Sequence, residues 1–104
     1  MISKDQLEKL EAEHKRILHV VGHADAWEIV LRKPTRQEYK QFRAATHNPA
    51  QVADAQEMLV RRIVVYPSHE TFDALLEDYP GIPEACGPSL QALVGMAGEE
   101  QKKV

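Results

Sequence analysis

Only one cysteine, Cys86, stands in the 104 residues. It can form no intramolecular disulfide and no cysteine-rich zinc site, which excludes disulfide scaffolds and zinc-ribbon folds. No apolar run approaches the ~20 residues needed to cross a bilayer. The start, Met1-Ile2-Ser3-Lys4-Asp5-Gln6, lacks the charged-then-apolar order of a secretory signal. Glycine is sparse: Gly22, Gly81, Gly87, Gly95 and Gly98 are scattered, so no glycine-rich loop is available to cradle a phosphate. Serine and threonine are equally few, and none sits in a Gly-x-Ser-x-Gly elbow or a Ser-x-x-Lys arrangement. What is there is ordinary: 43% hydrophobic, 28% charged, and 13 basic against 16 acidic residues for a net charge of −3. That composition and length fit one small cytosolic-type domain, over 1–98, with a frayed tail at 99–104.

Six prolines, at 34, 49, 67, 80, 83 and 88, divide the chain, because proline is tolerated in a first helical turn and breaks a helix interior. The small polar residues agree with that division. Ser3 with Gln6, and Thr35 with Glu38, have capping-box spacing; Asn48 precedes Pro49 as a cap, and Ser68 follows Pro67 as another. Periodicity fills the segments. Residues 3–16 read as a helix with Leu7, Leu10, His14 and Ile17 on one stripe. Strands follow at 17–21 and 27–32, in which Trp27, Ile29 and Leu31 alternate with Glu28, Val30 and Arg32 and Val30 breaks the pattern. Helices are expected over 35–46, with Tyr39, Phe42 and Thr46 inward, and over 49–64, with Val52, Ala55, Leu59 and Ile63 inward. The β-branched end of the latter, Ile63-Val64-Val65-Tyr66, reads as a helix running into an extended exit. Phe72, Leu75, Leu76 and Tyr79 stripe a helix at 69–79, and Leu90, Leu93 and Val94 mark a last short one near Pro88. The expected fold is α+β, mainly α: an N-terminal helix, one β-hairpin, and about four short packed helices.

Sites of chemistry are hard to find in this pattern. Ser3, Thr35 and Ser68 are explained as caps, and Cys86, between Ala85 and Gly87, reads as a buried, inert thiol. His14, His19 and His23 with Asp25 are the only metal-like grouping, but the strand and turn separate them, and His-Glu-x-x-His is absent. No acid–base pair can be placed from spacing. The expectation is no catalytic residue, no cofactor and no metal. Charge is more informative than its sum. Residues 1–33 balance, residues 34–66 carry +2, and residues 67–104 carry −5, with no Lys or Arg between 67 and 98. Arg36, Lys40, Arg43 and His47 fall on one flank of the 35–46 helix, as a solvated flank or a row for phosphates. Glu70, Asp73 and Glu77 share a face that would repel copies of itself and attract a basic partner. The stripe Leu7, Leu10, Ile17 is too short for a coiled coil and serves either its own domain or a partner.

One family resemblance is carried by longer stretches. The run from Trp27-Glu28-Ile29-Val30-Leu31 through Arg32-Lys33-Pro34-Thr35 to Tyr39 and Phe42, then Val65-Tyr66-Pro67-Ser68 and Leu76-Glu77-Asp78-Tyr79-Pro80-Gly81-Ile82-Pro83, resembles the small tail assembly chaperones of tailed bacteriophages and prophages. The likeness spans roughly residues 10–98, and its landmarks are structural joints rather than a catalytic fingerprint. It implies a small non-enzymatic protein of the bacterial host cytoplasm that binds the helical tape measure protein, keeps it soluble and helps tail-tube subunits gather on it. Leu7, Leu10, Ile17, Glu70, Asp73 and Glu77 are the expected partner-binding residues. The alternatives are a small structural or adaptor protein of a phage particle, or a nucleic-acid-binding module using Arg36, Lys40 and Arg43.

Overall fold

The computed structural model describes residues 2–95; the expected frayed tail at 99–104 lies outside them. The elements run α1 (Lys4–His14), β1 (Ile17–Val21), β2 (Glu28–Arg32), α2 (Arg36–Thr46), α3 (Ala55–Ile63), β3 (Val64–Tyr66), α4 (His69–Asp78), α5 (Ile82–Ala85) and α6 (Gly87–Leu93). The fold is α+β and mainly helical, with six helices and one antiparallel sheet among the described residues.

Both capping boxes form. Ser3 accepts the Gln6 amide while Gln6 accepts the Ser3 amide, and Thr35 and Glu38 do the same. Ser68 accepts the Thr71 amide at 3.3 Å and starts α4. Asn48 acts otherwise than expected. Its side-chain oxygen takes the Ala50 amide at 2.9 Å, holding a turn that runs into a short 3₁₀ segment, Val52–Asp54. The α-helix therefore begins at Ala55, and Val52, expected in the core, is exposed.

The sheet has order β1-β2-β3, all antiparallel. The hairpin falls where the alternation placed it, but Val64–Tyr66 leaves the helix to pair with β2 as a third strand. Three β-branched or aromatic residues in a row favour that pleated edge over another helical turn. Val30 faces Tyr66 and Leu31 faces Val64, so Val65 is the extra residue of a bulge. Both faces of β2 are covered, one by the main core and the other by the N-terminal segment, and this explains Val30: Ile29, Val30 and Leu31 are all 0% exposed. Ile29 and Leu31 face the main core with Leu59, Val60, Ile63, Phe72, Ile82, Cys86, Leu90 and Leu93. Val30, paired between His19 and Tyr66, faces the opposite way, toward the N-terminal segment, where the Ile2 amide donates to Glu28 at 2.6 Å and Leu10 borders Val65 and Tyr66.

The expected α1 stripe is cut short. Lys15 turns the chain with φ 65°, and Ile17 enters β1. It therefore leaves the helical row of Leu7 and Leu10, which are half-buried. At the other end of the hairpin, the Trp27 indole lies on Gly22, where a Cβ would come within 2.4 Å of its Nε1.

Candidate functional site

Helix α2 was expected to bury Tyr39, Phe42 and Thr46, yet its one buried residue is Ala45. Tyr39 and Phe42 are only half-buried because they border an open groove. Their rings stack with centroids 6.2 Å apart and planes 21° from parallel. Residues Leu59 and Gln56 of α3, and Leu90, Gln91 and Val94 at the end of the chain's last described helix, complete a recess of about 150 Å³. The Gln56 amide is held by donating to the Pro83 carbonyl at 2.5 Å. A second recess, about 360 Å³, is lined by Lys33, Pro34, Thr35, Arg36, Tyr39 and Val94. Tyr39 and Val94 line both, so the two recesses adjoin as a channel beside α2, apolar at the Phe42–Leu90 end and polar at the Lys33–Arg36 end.

The basic row borders this channel. Arg36, Lys40, Arg43 and His47 are exposed; Arg36 lines the second recess, and the Arg43 guanidinium sits 6.0 Å above the Tyr39 ring. One further arginine fixes the geometry from behind. Arg32, at the end of β2, binds Glu38 of α2 through two 2.8 Å bonds and donates to the Arg62 carbonyl at the end of α3. The Arg32 guanidinium, together with the Thr35 amide, holds the Glu38 carboxyl down to about 2. Strand, α2 and α3 are thereby joined at one point, so the aromatic side of α2 is set relative to Leu59.

The acidic face is less one-signed than residues 67–98 alone imply. Glu70 and Glu77 are exposed, but Asp73 takes a bidentate ion pair from Arg61 of α3, both bonds 3.0 Å. The Arg61 hydrogen bonds hold the Asp73 carboxyl below its usual range. The expected partner-binding set thus spreads over α1, β1 and α4, with Ile17 off the helix and Asp73 already paired. The histidines do not converge. His19 Nε2 lies 2.8 Å from Glu28 Oε2 in the sheet, and His23 is exposed in the hairpin turn. Among the described residues no group of three or more His, Cys, Asp or Glu is placed to hold a metal ion. Cys86 is buried, and burial pushes its thiol up to about 11, so it is protonated and unreactive near neutral pH.

The groove was invisible in the sequence because each wall reads as ordinary core stripe; only the packing angle leaves Tyr39, Phe42 and Val94 partly uncovered. The family described as a domain of unknown function (DUF6848) matches residues 4–103. The chain belongs to the DUF6848 family. No curated protein matches it. This DUF6848 chain is similar in fold to the uncharacterised protein rbstp2171 from Bacillus stearothermophilus, with a TM-score of 0.72 and 15% identity. That likeness covers 93% of this chain and 99% of the other, so the arrangement of helices and sheet is shared over most of this chain. No described helix is long and apolar enough to cross a membrane.

Proposed function

We propose that this domain is a non-enzymatic assembly chaperone of the phage-tail kind, acting in the bacterial host cytoplasm. It holds an amphipathic helix of a tape measure protein in the α2–α6 channel while tail-tube subunits gather. The observation that carries the reading is the channel itself, with Tyr39, Phe42, Leu59, Leu90 and Val94 lining its apolar length. A helix laid in such a channel buries its apolar stripe against the aromatic ledge, the general helix-in-groove mode. The basic row selects the flank of that helix: Arg36, Lys40 and Arg43 favour a segment with acidic residues beside its apolar stripe. The sequence landmarks that carry the resemblance fit the same picture. Arg32-Lys33-Pro34-Thr35 and Glu38 form the joint that sets α2, and Tyr66-Pro67-Ser68 forms the turn from β3 into α4.

Co-expression with helical segments of a tape measure protein from the same genome tests this. The expected result is co-purification and a rise in soluble client, lost in Val94→Asp and weakened when Arg36 and Lys40 are reversed to Glu. No co-purification with any segment, or capture indifferent to Val94→Asp, would sink the reading. A nucleic-acid module on the same row makes a different prediction, since Arg36, Lys40 and Arg43 are all exposed. It requires an electrophoretic shift at low salt that the charge reversals abolish and Val94→Asp leaves intact.

A further inference from the structure

The sheet has two edges, and they differ. β3 is short, bulged at Val65 and followed directly by Pro67, and each of these discourages pairing with another strand. β1 carries none of them. Ile17-Leu18-His19-Val20-Val21 holds no proline, glycine or lysine and keeps a regular register against β2.

The hydrogen-bond ladder shows what that edge offers. The Lys33 amide donates to the Arg16 carbonyl and the Gly22 amide to the Trp27 carbonyl, so the even-numbered residues of β1 turn their backbone groups toward β2. Ile17, His19 and Val21 therefore turn theirs outward. Among the described residues, none of those N–H and C=O groups has a hydrogen-bond partner. Side chains follow the same alternation. Leu18 and Val20 pack on the main core, while Ile17, His19 and Val21 lie on the face of Val30 and Glu28, where His19 Nε2 reaches Glu28 at 2.8 Å. His19 is exposed and Val21 is 42% exposed, so the strand is open to solvent over its second half. No β1 residue lines the channel beside α2.

We propose that β1 pairs antiparallel with β1 of a second copy of this chain, about a two-fold axis through His19, joining two three-stranded sheets into one. The strand is its own complement in that register. Ile17, His19 and Val21 of one copy meet Val21, His19 and Ile17 of the other as hydrogen-bonded pairs, which satisfies every outward backbone group. Ile17 beside Val21 on one face and Leu18 beside Val20 on the other are apolar cross-strand pairs. Charge selects the antiparallel sense. Lys15 and Arg16 are exposed at the start of the strand, and Arg16 falls opposite Gly22 of the second copy. The Asp25 amide donates to the Gly22 carbonyl at 3.1 Å, so an exposed carboxylate stands at the end that the basic pair approaches. Parallel pairing would instead set the basic ends of both copies together.

Sedimentation equilibrium from about 2 µM to about 1 mM should show monomer and dimer in exchange, with a dissociation constant on the order of 10–100 µM for so small an interface. Val21→Lys should weaken association about tenfold or more, with the fold checked by far-ultraviolet circular dichroism. Arg16→Glu should weaken it about fivefold, and Arg16→Glu combined with Asp25→Lys should restore it. Register is read by cysteine cross-linking, to which the buried Cys86 is silent. His19→Cys lies at the two-fold, where paired Cα atoms stand about 5.5 Å apart, and should cross-link to its copy on mild oxidation. Val21→Cys lies roughly 13 Å from its own copy and should not, whereas a mixture of Ile17→Cys and Val21→Cys should. Val21→Lys associating like the parent, or Val21→Cys cross-linking as readily as His19→Cys, would overturn the proposal. So would a chain that stays monomeric throughout the range, which would leave the edge to an extended segment of another protein.

Discussion

Replacing Glu38 with glutamine tests the joint that orients α2. The Glu38 carboxylate accepts two bonds from Arg32 at 2.8 Å and the Thr35 amide at 2.9 Å, in a setting where the side chains of Arg32 and Glu38 are 24% and 17% exposed. Its carboxyl falls from an ordinary 4.5 to about 2 on folding, chiefly through the Arg32 bonds. A folded value below the unfolded one means stability that is fully present above 4.5 and lost as pH falls toward 2. At about 1.4 kcal/mol per pH unit the gap is worth about 3 kcal/mol at pH 7, falling to about 1.5 kcal/mol at pH 3. Glutamine keeps the size and one acceptor, but it turns an amide NH₂ toward Arg32 and leaves the guanidinium without its counter-charge. The expected loss at pH 7 is about 2–3 kcal/mol, or roughly 10–15 °C in Tm for a domain of this size. Urea unfolding of parent and variant, followed by Trp27 emission and far-ultraviolet circular dichroism, should be run at pH 7, 5 and 3. The difference should hold between pH 7 and 5 and shrink by about half at pH 3. A difference below about 0.5 kcal/mol at pH 7 would place the pair among ordinary surface ion pairs. A difference as large at pH 3 as at pH 7 would refute the electrostatic account.

Two further outcomes test the packing around the sheet and core. Gly22→Ala places a Cβ within 2.4–2.7 Å of the Trp27 ring, so the indole must move; a loss of about 1–3 kcal/mol and a shifted emission maximum are expected, and an unchanged spectrum would contradict the close approach. Cys86 should resist alkylation by iodoacetamide at pH 7.5 in the native protein and react fully in urea, as read by intact mass, because its thiol is buried and raised to about 11; rapid native labelling would show that the core opens there.

Local signals in the sequence located most of the elements, and non-local ones explain the misses. The Ser3–Gln6 and Thr35–Glu38 spacings are complete within four residues, so both capping boxes were legible and both form. The hairpin was legible through alternation, except that Val30 reads as a flaw until the N-terminal segment is seen to cover the second face of the sheet. That third strand depends on Val64–Tyr66 meeting a partner thirty-odd residues earlier, Val30 and Leu31, which no window of periodicity contains. Val52 failed differently: Asn48 spends its side chain on the Ala50 amide, and the resulting turn delays the helix beyond Val52. The groove beside α2, assembled from α2, α3 and α6, was not legible at all.

The charge pattern shows how folding changes what a sequence count means. The +2 of residues 34–66 and the −5 of residues 67–104 suggest a basic middle against an acidic end. Folding draws two of the middle segment's charges into pairs, Glu38 with Arg32 and Arg61 with Asp73. Removing Glu38 from the exposed charge of α2 leaves its outer flank more uniformly positive, because Arg36, Lys40 and Arg43 remain there in the open. Spending Arg61 on Asp73 does the reverse on α4, where Glu70 and Glu77 keep a weaker negative face than three carboxylates would give. The positive flank of α2 is therefore a product of pairing and topology, and a client laid beside it would need acidic residues along its own apolar stripe.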